Sequence, residues 1–139
     1  GIIFDVGHGG ASFAYSQALP AMEEGFYPDT ISTDLHVDSM NAAMKDQLNV
    51  MSKFLAMKMS VYDVIKASTS DAANAIGRKE LGNLSIGAEA DIAILHIRKG
   101  SFGFFDTLGV RMEGEMKLEC EATIRAGEVV YDLNGIALN

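Results

Sequence analysis

The fold depends on one stretch, TISTDLH at residues 30–36, in which a short apolar and β-branched run ends in Asp34 and His36 follows. This pattern predicts a buried strand that delivers Asp34 to a loop. A second run, IIFDV at residues 2–6, is almost continuously apolar, as expected of a strand covered on both faces, and it leads into a glycine-rich turn that carries His8. The intervening segment is long enough for the helical crossover that joins parallel strands. We therefore expect two parallel strands with His8 and Asp34 at the same edge.

The composition is that of an acidic globular protein. The chain has 139 residues, 48% of them hydrophobic, and a formal net charge of −8. Nucleic acid is not expected as a partner, because phosphate binding needs clustered Lys and Arg, and the 11 basic residues form no long run. The single cysteine, Cys120, cannot form an internal disulfide, and neither a signal peptide nor an apolar run of about 18 residues is visible. We expect a cytoplasmic protein with no membrane partner.

Helix signals dominate the first part of the chain and strand signals the last part. Helices are predicted from Ser12, which could be an N-cap, to about Glu24, and then over residues 47–58, 61–67 and 71–76, with a loop or lid at residues 37–46. Strands are predicted at residues 90–95, 116–125 and 129–131, the last two as a hairpin, with irregular or short-strand structure at residues 99–114. The sequence thus predicts an α/β unit at residues 1–80 and an all-β unit at residues 81–139.

Asp34, His8 and His36 are the candidate chemical groups. An aspartate at the carboxyl end of a strand can be a metal ligand or a general base, or it can simply cap a helix or bond loop amides. His8 lies between glycines that let the backbone approach a ligand, although a solvent-facing turn would have the same sequence. The ligand types of all three residues suit zinc, but no H-x-H or H-E-x-x-H spacing is present. A triad using Ser12 is disfavoured because the chain has no G-x-S-x-G elbow, and the P-loop and dinucleotide fingerprints are also absent.

Four segments in order resemble the carboxyl-terminal third of the amidohydrolase superfamily, in particular its dihydroorotase-like amidohydrolase/deacetylase branch. They are DVGHGGASF at 5–13, ISTDLH at 31–36, LGNLSIGAEADIAIL at 81–95 and TIRAGEVVY at 123–131. The resemblance implies a (β/α)8 TIM-type barrel, with residues 2–6 and 30–34 as its seventh and eighth strands. It also implies a metal centre at the carboxyl ends of the strands, and a small β-sandwich that includes the segment from Leu84 onward.

The same resemblance implies roles for three residues. Asp34 would touch the metal and take a proton from the attacking water, while His8 and Gly9 would contact the substrate. The family holds its metal with an H-x-H pair, a carboxylated lysine and two further histidines, and the chain lacks these elements. A metal-activated water needs several ligands around the cation, which Asp34 cannot supply alone.

We therefore interpret the chain as the carboxyl-terminal fragment of a metal-dependent amidohydrolase that hydrolyses amide or ester bonds of a small molecule, with zinc as the expected metal. The opening at Gly1, directly before an apolar strand, fits a piece of a longer protein. By itself the chain is expected to be inactive and to bind no metal tightly, and an open sheet edge should drive association, for instance into homo-oligomers. Two alternatives remain open: a non-catalytic interaction module that keeps the amidohydrolase shape, and a small metal-binding protein that uses His8, Asp34 and His36.

Overall fold

A computed structural model of the chain describes residues 1–137. It contains five strands and five helices in that range. The elements in order are β1 (Asp5–Gly7), α1 (Tyr15–Glu23), β2 (Thr30–Ser32), α2 (Val37–Met40), α3 (Gln47–Ala56), α4 (Val61–Ser68), α5 (Ser70–Ala75), β3 (Ile92–Phe105), β4 (Arg111–Arg125) and β5 (Glu128–Asp132). No helix among these residues is both long enough and apolar enough to cross a membrane.

The two short strands β1 and β2 pair in parallel, as predicted. Asp5 lies opposite Thr30, and the Asp5 carboxylate accepts hydrogen bonds of 2.6 Å from the hydroxyls of both Thr30 and Ser32. These charge-assisted bonds lock the register, which places the carboxyl ends of both strands at one edge.

The predicted strand at residues 2–6 is wrong in its first half. Residues 2–4 lie outside β1, and Ile2 and Ile3 are 81% and 55% exposed. Within residues 1–137 the parallel sheet has only these two strands, so Ile2 and Ile3 have no neighbouring strand to cover them. The ring of Phe4 packs edge-on against Phe26.

Helix α1 begins later than predicted. Ser12 is exposed and does not cap it; the helix starts at Tyr15, whose backbone N–H donates to the Asp106 carboxylate over 3.0 Å. A distant residue therefore supplies the partner that the local sequence was expected to provide. The helix is not split by Pro20 and ends at Glu23.

The helices after β2 follow the predicted pattern with one correction. Residues 37–46 are not entirely loop, because α2 occupies Val37–Met40. The predicted Ser60 cap of α4 is confirmed, since its hydroxyl accepts the N–H of Asp63. Helix α3 is capped by Asp46 and buries most of its length.

Strands β3, β4 and β5 form an antiparallel sheet in that order. The prediction of irregular or short-strand structure at residues 99–114 is wrong about the length of the strands, because the segment belongs to the long β3–β4 hairpin. The ladder shifts register between Lys99 and Phe102, and this bulge accounts for the glycine-rich, aperiodic sequence there. The β4–β5 hairpin is confirmed, and it turns at Ala126 and Gly127, both with positive φ, as a two-residue hairpin loop requires.

One apolar core joins the helices to the long hairpin. Helix α3 packs on β4, where the Ser52 hydroxyl accepts the backbone N–H of Leu118 over 3.0 Å. Leu118 and Phe104 of the hairpin belong to the same buried cluster as Phe54 of α3. The secondary structure changes from helix to strand near the predicted boundary at residue 80, and the division into two units stays a prediction.

Candidate active site

Asp34 and Gly9 meet at the carboxyl ends of β1 and β2. The N–H of Gly9 donates to the carbonyl of Thr33 over 2.8 Å, which joins the two loops directly. The Asp34 carboxylate lies against the Cα of Gly9 so closely that a Cβ at Gly9 would stand 2.5 Å from Asp34 Oδ2. Both residues have φ of +51°, a left-handed conformation that is costly for an aspartate. Asp34 is exposed, so the strained residue presents its carboxylate to solvent.

His8 is completely buried next to this contact. Its Nδ1 lies 3.0 Å from the carbonyl oxygen of Gly9, and its Nε2 lies 2.7 Å from the Nζ of Lys53. The ring stacks on Phe13 with centroids 4.8 Å apart. Burial lowers the pKa of His8, and the neighbouring Lys53 charge lowers it further, against the opposing effect of the Gly9 carbonyl. His8 is therefore held as a neutral imidazole at neutral pH.

Lys53 comes from the buried face of α3 and is itself fully buried. Its Nζ also donates to the carbonyl of Ala43 over 2.7 Å and lies 5.9 Å from the centroid of the Phe13 ring. Burial lowers the pKa of Lys53 to about 8, and Asp106 partly opposes that shift. The ammonium still carries most of its charge at pH 7.

The tip of the β3–β4 hairpin packs beneath the same loop. The buried Asp106 accepts three backbone N–H bonds, from Tyr15, Leu108 and Val110. Burial alone would raise the pKa of Asp106, but these three donors hold it below its usual value. Thr107 adds a hydroxyl bond of 2.6 Å to the carbonyl of Phe13. Asp106 and Thr107 of the hairpin tip thus hold residues 13–15, the segment that packs against His8.

His36 and Ser12 join this network through their backbones, and the N–H of Ser12 donates to the His8 carbonyl over 3.3 Å. The backbone N–H of His36 donates to the Ser39 hydroxyl at the start of α2, and its ring lies beside Gly10. Within residues 1–137, no group of three or more His, Cys, Asp or Glu side chains could hold a metal ion. Both ring nitrogens of His8 already have partners, so these residues give no support to a zinc site made of His8, Asp34 and His36.

The structure thus places His8 and Asp34 at the same edge, as predicted from the sequence, and it also brings Asp34 into contact with Gly9, which the sequence did not predict. Both ring nitrogens of His8 already have partners in the chain. The predicted contact of His8 with substrate stays a prediction. Sequence reasoning missed Lys53 and Asp106. The available signal for Lys53 was a lone charge between apolar residues on the face of α3 that also carries Val50 and Phe54.

Comparison with known proteins agrees with this architecture. The sequence profile of the Amidohydrolase family matches residues 5–131. A protein named deacetylase from Brucella anthropi is 43% identical over 97 residues, which are 70% of this chain and 24% of that protein. Among solved structures, an adenine deaminase superposes with a TM-score of 0.91 at 28% identity, covering 96% of this chain and 36% of that one. A dihydroorotase superposes with a TM-score of 0.87 at 32% identity, with 95% and 36% covered.

The chain therefore spans about a quarter to a third of the length of these relatives. The family profile nevertheless covers most of the chain, including both parallel strands, the helices and the long hairpin. The chain belongs to the amidohydrolase family.

Proposed function

We propose that this chain is the carboxyl-terminal part of a metal-dependent amidohydrolase that hydrolyses an amide or ester bond of a small molecule. One observation carries the proposal: the exposed Asp34 carboxylate lies against Gly9 at the carboxyl ends of two parallel strands. Active sites of barrel enzymes lie at that edge. The deacetylase and dihydroorotase relatives support hydrolysis of an acyl–nitrogen or acyl–oxygen bond.

Asp34 is proposed to take a proton from the attacking water and to return it to the leaving group. Its backbone is held in the left-handed region, and strain of this kind is concentrated at functional positions because the surrounding structure must maintain it. The Ser39 hydroxyl is shared between the carbonyls of Asp34 at 3.2 Å and His36 at 3.1 Å, which helps to hold that conformation. The fixed backbone thereby holds the exposed Asp34 carboxylate in one orientation.

The family implies a divalent metal, for which zinc is the expected ion. Residues 1–137 do not fit a complete metal site, since no group of three or more His, Cys, Asp or Glu side chains among them could hold a metal ion. We propose that the other ligands come from outside this chain and that the metal, when bound, supplies a Lewis acid. Gly9 is proposed to line the substrate site, because its missing side chain lets the Asp34 carboxylate lie directly against its backbone.

We propose that β1 and β2 are strands seven and eight of a barrel and that β3–β5 are part of a β-sandwich; the uncovered apolar surface beside β1 supports the first of these assignments. A groove of about 330 Å³ runs along β1 and α1 and is lined by Phe4, Val6, Phe13, Met22 and Phe26. Apolar grooves and open strand edges of this kind attract further elements or other chains. We therefore propose association through this surface when the chain is separate.

The test compares this chain with a longer protein that contains it. Each is incubated with zinc or manganese and a panel of N-acetyl and O-acetyl substrates. We expect no turnover from the separate chain and measurable turnover from the longer protein. In the longer protein, Asp34→Asn should lower kcat about 100-fold or more, the usual contribution of a positioned base, whereas Asp38→Asn, an exposed aspartate on α2, should not.

Two outcomes contradict this proposal. Enzyme-like turnover by the separate chain would show that it needs no further metal ligands. An unchanged rate for Asp34→Asn would remove Asp34 from the chemistry. A longer protein that turns over no member of the panel would instead favour the non-catalytic interaction module.

A further inference from the structure

The role proposed for Asp34 leaves the buried pair of Lys53 and His8 without a task. Both side chains are completely shielded from solvent, and their nitrogens lie 2.7 Å apart. A buried charge is weak evidence for a stabilising role, because the cost of removing it from water offsets much of what its contacts contribute.

The partners of His8 determine where its proton lies. The Gly9 carbonyl oxygen can only accept, so Nδ1 must carry the hydrogen in the 3.0 Å contact. Nε2 of the neutral ring is then an acceptor, and the ammonium of Lys53 donates to it. The second tautomer would leave the Gly9 carbonyl without a donor and would point an N–H at the ammonium.

A continuous series of contacts leads from this pair to Asp34. Nδ1 of His8 holds the carbonyl of Gly9, and the N–H of the same glycine holds the carbonyl of Thr33. The Asp34 carboxylate then lies directly on the Gly9 Cα. The position of the Gly9 peptide therefore sets the place of the carboxylate, and His8 sets the position of that peptide.

The surroundings of Lys53 are arranged to keep its ammonium in place. It donates to the Ala43 carbonyl, faces the Phe13 ring and lies in the field of the buried Asp106. Phe13 also stacks on His8, so the ring and the ammonium restrain the imidazole from two sides.

We propose that Lys53 is a positioning residue, which fixes His8 in its Nδ1–H tautomer and thereby holds the Gly9 peptide beneath the Asp34 carboxylate. This inference rests on the proposed function of Asp34. It assigns Lys53 no contact with substrate.

The first experiment reads the tautomer directly, in the protein labelled with ¹⁵N-histidine. In the wild type, His8 should show a protonated Nδ1 and an unprotonated Nε2 at neutral pH. Lys53→Met should remove the donor to Nε2 and turn this pattern into a mixture of tautomers. The matched control is Lys66→Met, because Lys66 is an exposed lysine of α4 that pairs with Asp71, and its loss should leave the His8 signals unchanged.

The second experiment uses kinetics of the active, full-length protein. Lys53→Met should lower kcat about 10-fold with little change in KM, because the substrate loses no contact, and Lys53→Arg should recover part of the loss. In a His8→Phe background, Lys53→Met should cause no further loss, since the residue through which it acts is gone.

A wild-type His8 protonated on Nε2 would overturn the proposal, and that measurement does not depend on the folding of any variant. A Lys53→Met protein with unchanged tautomer and unchanged kcat would also overturn it. If Asp34→Asn retains full activity while the His8 signals behave as expected, then the proposed function of Asp34 fails, whereas the control of the His8 tautomer by Lys53 stands.

Discussion

Gly9→Ala is the substitution that tests the geometry of the site most directly. The new Cβ would lie 2.5 Å from Oδ2 of Asp34, where ordinary contacts begin at 3.4 Å, so the carboxylate must move by about 1 Å. The displaced group is the proposed base. The change adds one methyl group and removes no hydrogen bond.

Two effects of different size follow from this substitution. The φ of +51° at Gly9 costs an alanine about 1–2 kcal/mol of folding stability. The displacement of the carboxylate affects the rate, because a 1 Å misplacement of a reacting group can cost about 100-fold in activity. We therefore expect a modest loss of stability together with a large loss of kcat.

Urea unfolding and the rate of acyl hydrolysis in the full-length protein measure the two effects separately. Gly10→Ala is the control, since its Cβ would meet only the His36 ring at 3.6 Å, an ordinary contact. In an Asp34→Ala background the clash is absent, so only the backbone cost of Gly9→Ala should remain. Wild-type kcat in Gly9→Ala would refute the placement of the Asp34 carboxylate against Gly9.

Three further predictions concern stability and assembly. Between about pH 8 and 10.5 the unfolded chain keeps the Lys53 proton that the folded chain releases, so the free energy of unfolding should rise with pH by up to about 3 kcal/mol. Urea unfolding at pH 7 and pH 10 measures this rise, and Lys53→Met should lack it. Asp106→Asn should cost about 1–3 kcal/mol by thermal unfolding at pH 7, because the amide leaves a backbone N–H such as that of Tyr15 without its acceptor. The loss should shrink as the pH falls below 3.8, because the wild-type unfolded chain then takes up a proton that the folded Asp106, with its lowered pKa, does not yet bind. Light scattering of the separate chain should show dimers or larger assemblies, and a stable monomer would contradict the proposed association surface.

The part of the site that the sequence predicts is the part built from local patterns. The β-branched run before Asp34 and the apolar run before His8 indicate two strands, and a long connection between them favours a parallel pair. The sequence also predicts the helix cap at Ser60 and the turn at Gly127, because each of these features depends only on residues within three or four positions.

The part that the sequence does not predict depends on contacts between distant segments. Asp106 is 91 residues from Tyr15, whose N–H it accepts, and nothing near Ser12 shows that the expected local cap would be replaced. Lys53 is 45 residues from His8. From the sequence, a lysine within an apolar helix face is expected to extend its long side chain to solvent. Only the fold shows that the Lys53 side chain points inward.

The two buried charges explain how the hairpin can influence the site without touching Asp34. Each charge is satisfied by its own hydrogen bonds, Lys53 by His8 and the Ala43 carbonyl, and Asp106 by backbone N–H groups. They nevertheless interact through the protein interior, where charges are weakly screened, so each favours the ionised form of the other. Neutralising Asp106 must therefore lower the pKa of Lys53 further and weaken the donor that holds His8. The hairpin tip and helix α3 thus act on the same imidazole, one by charge and the other by a hydrogen bond.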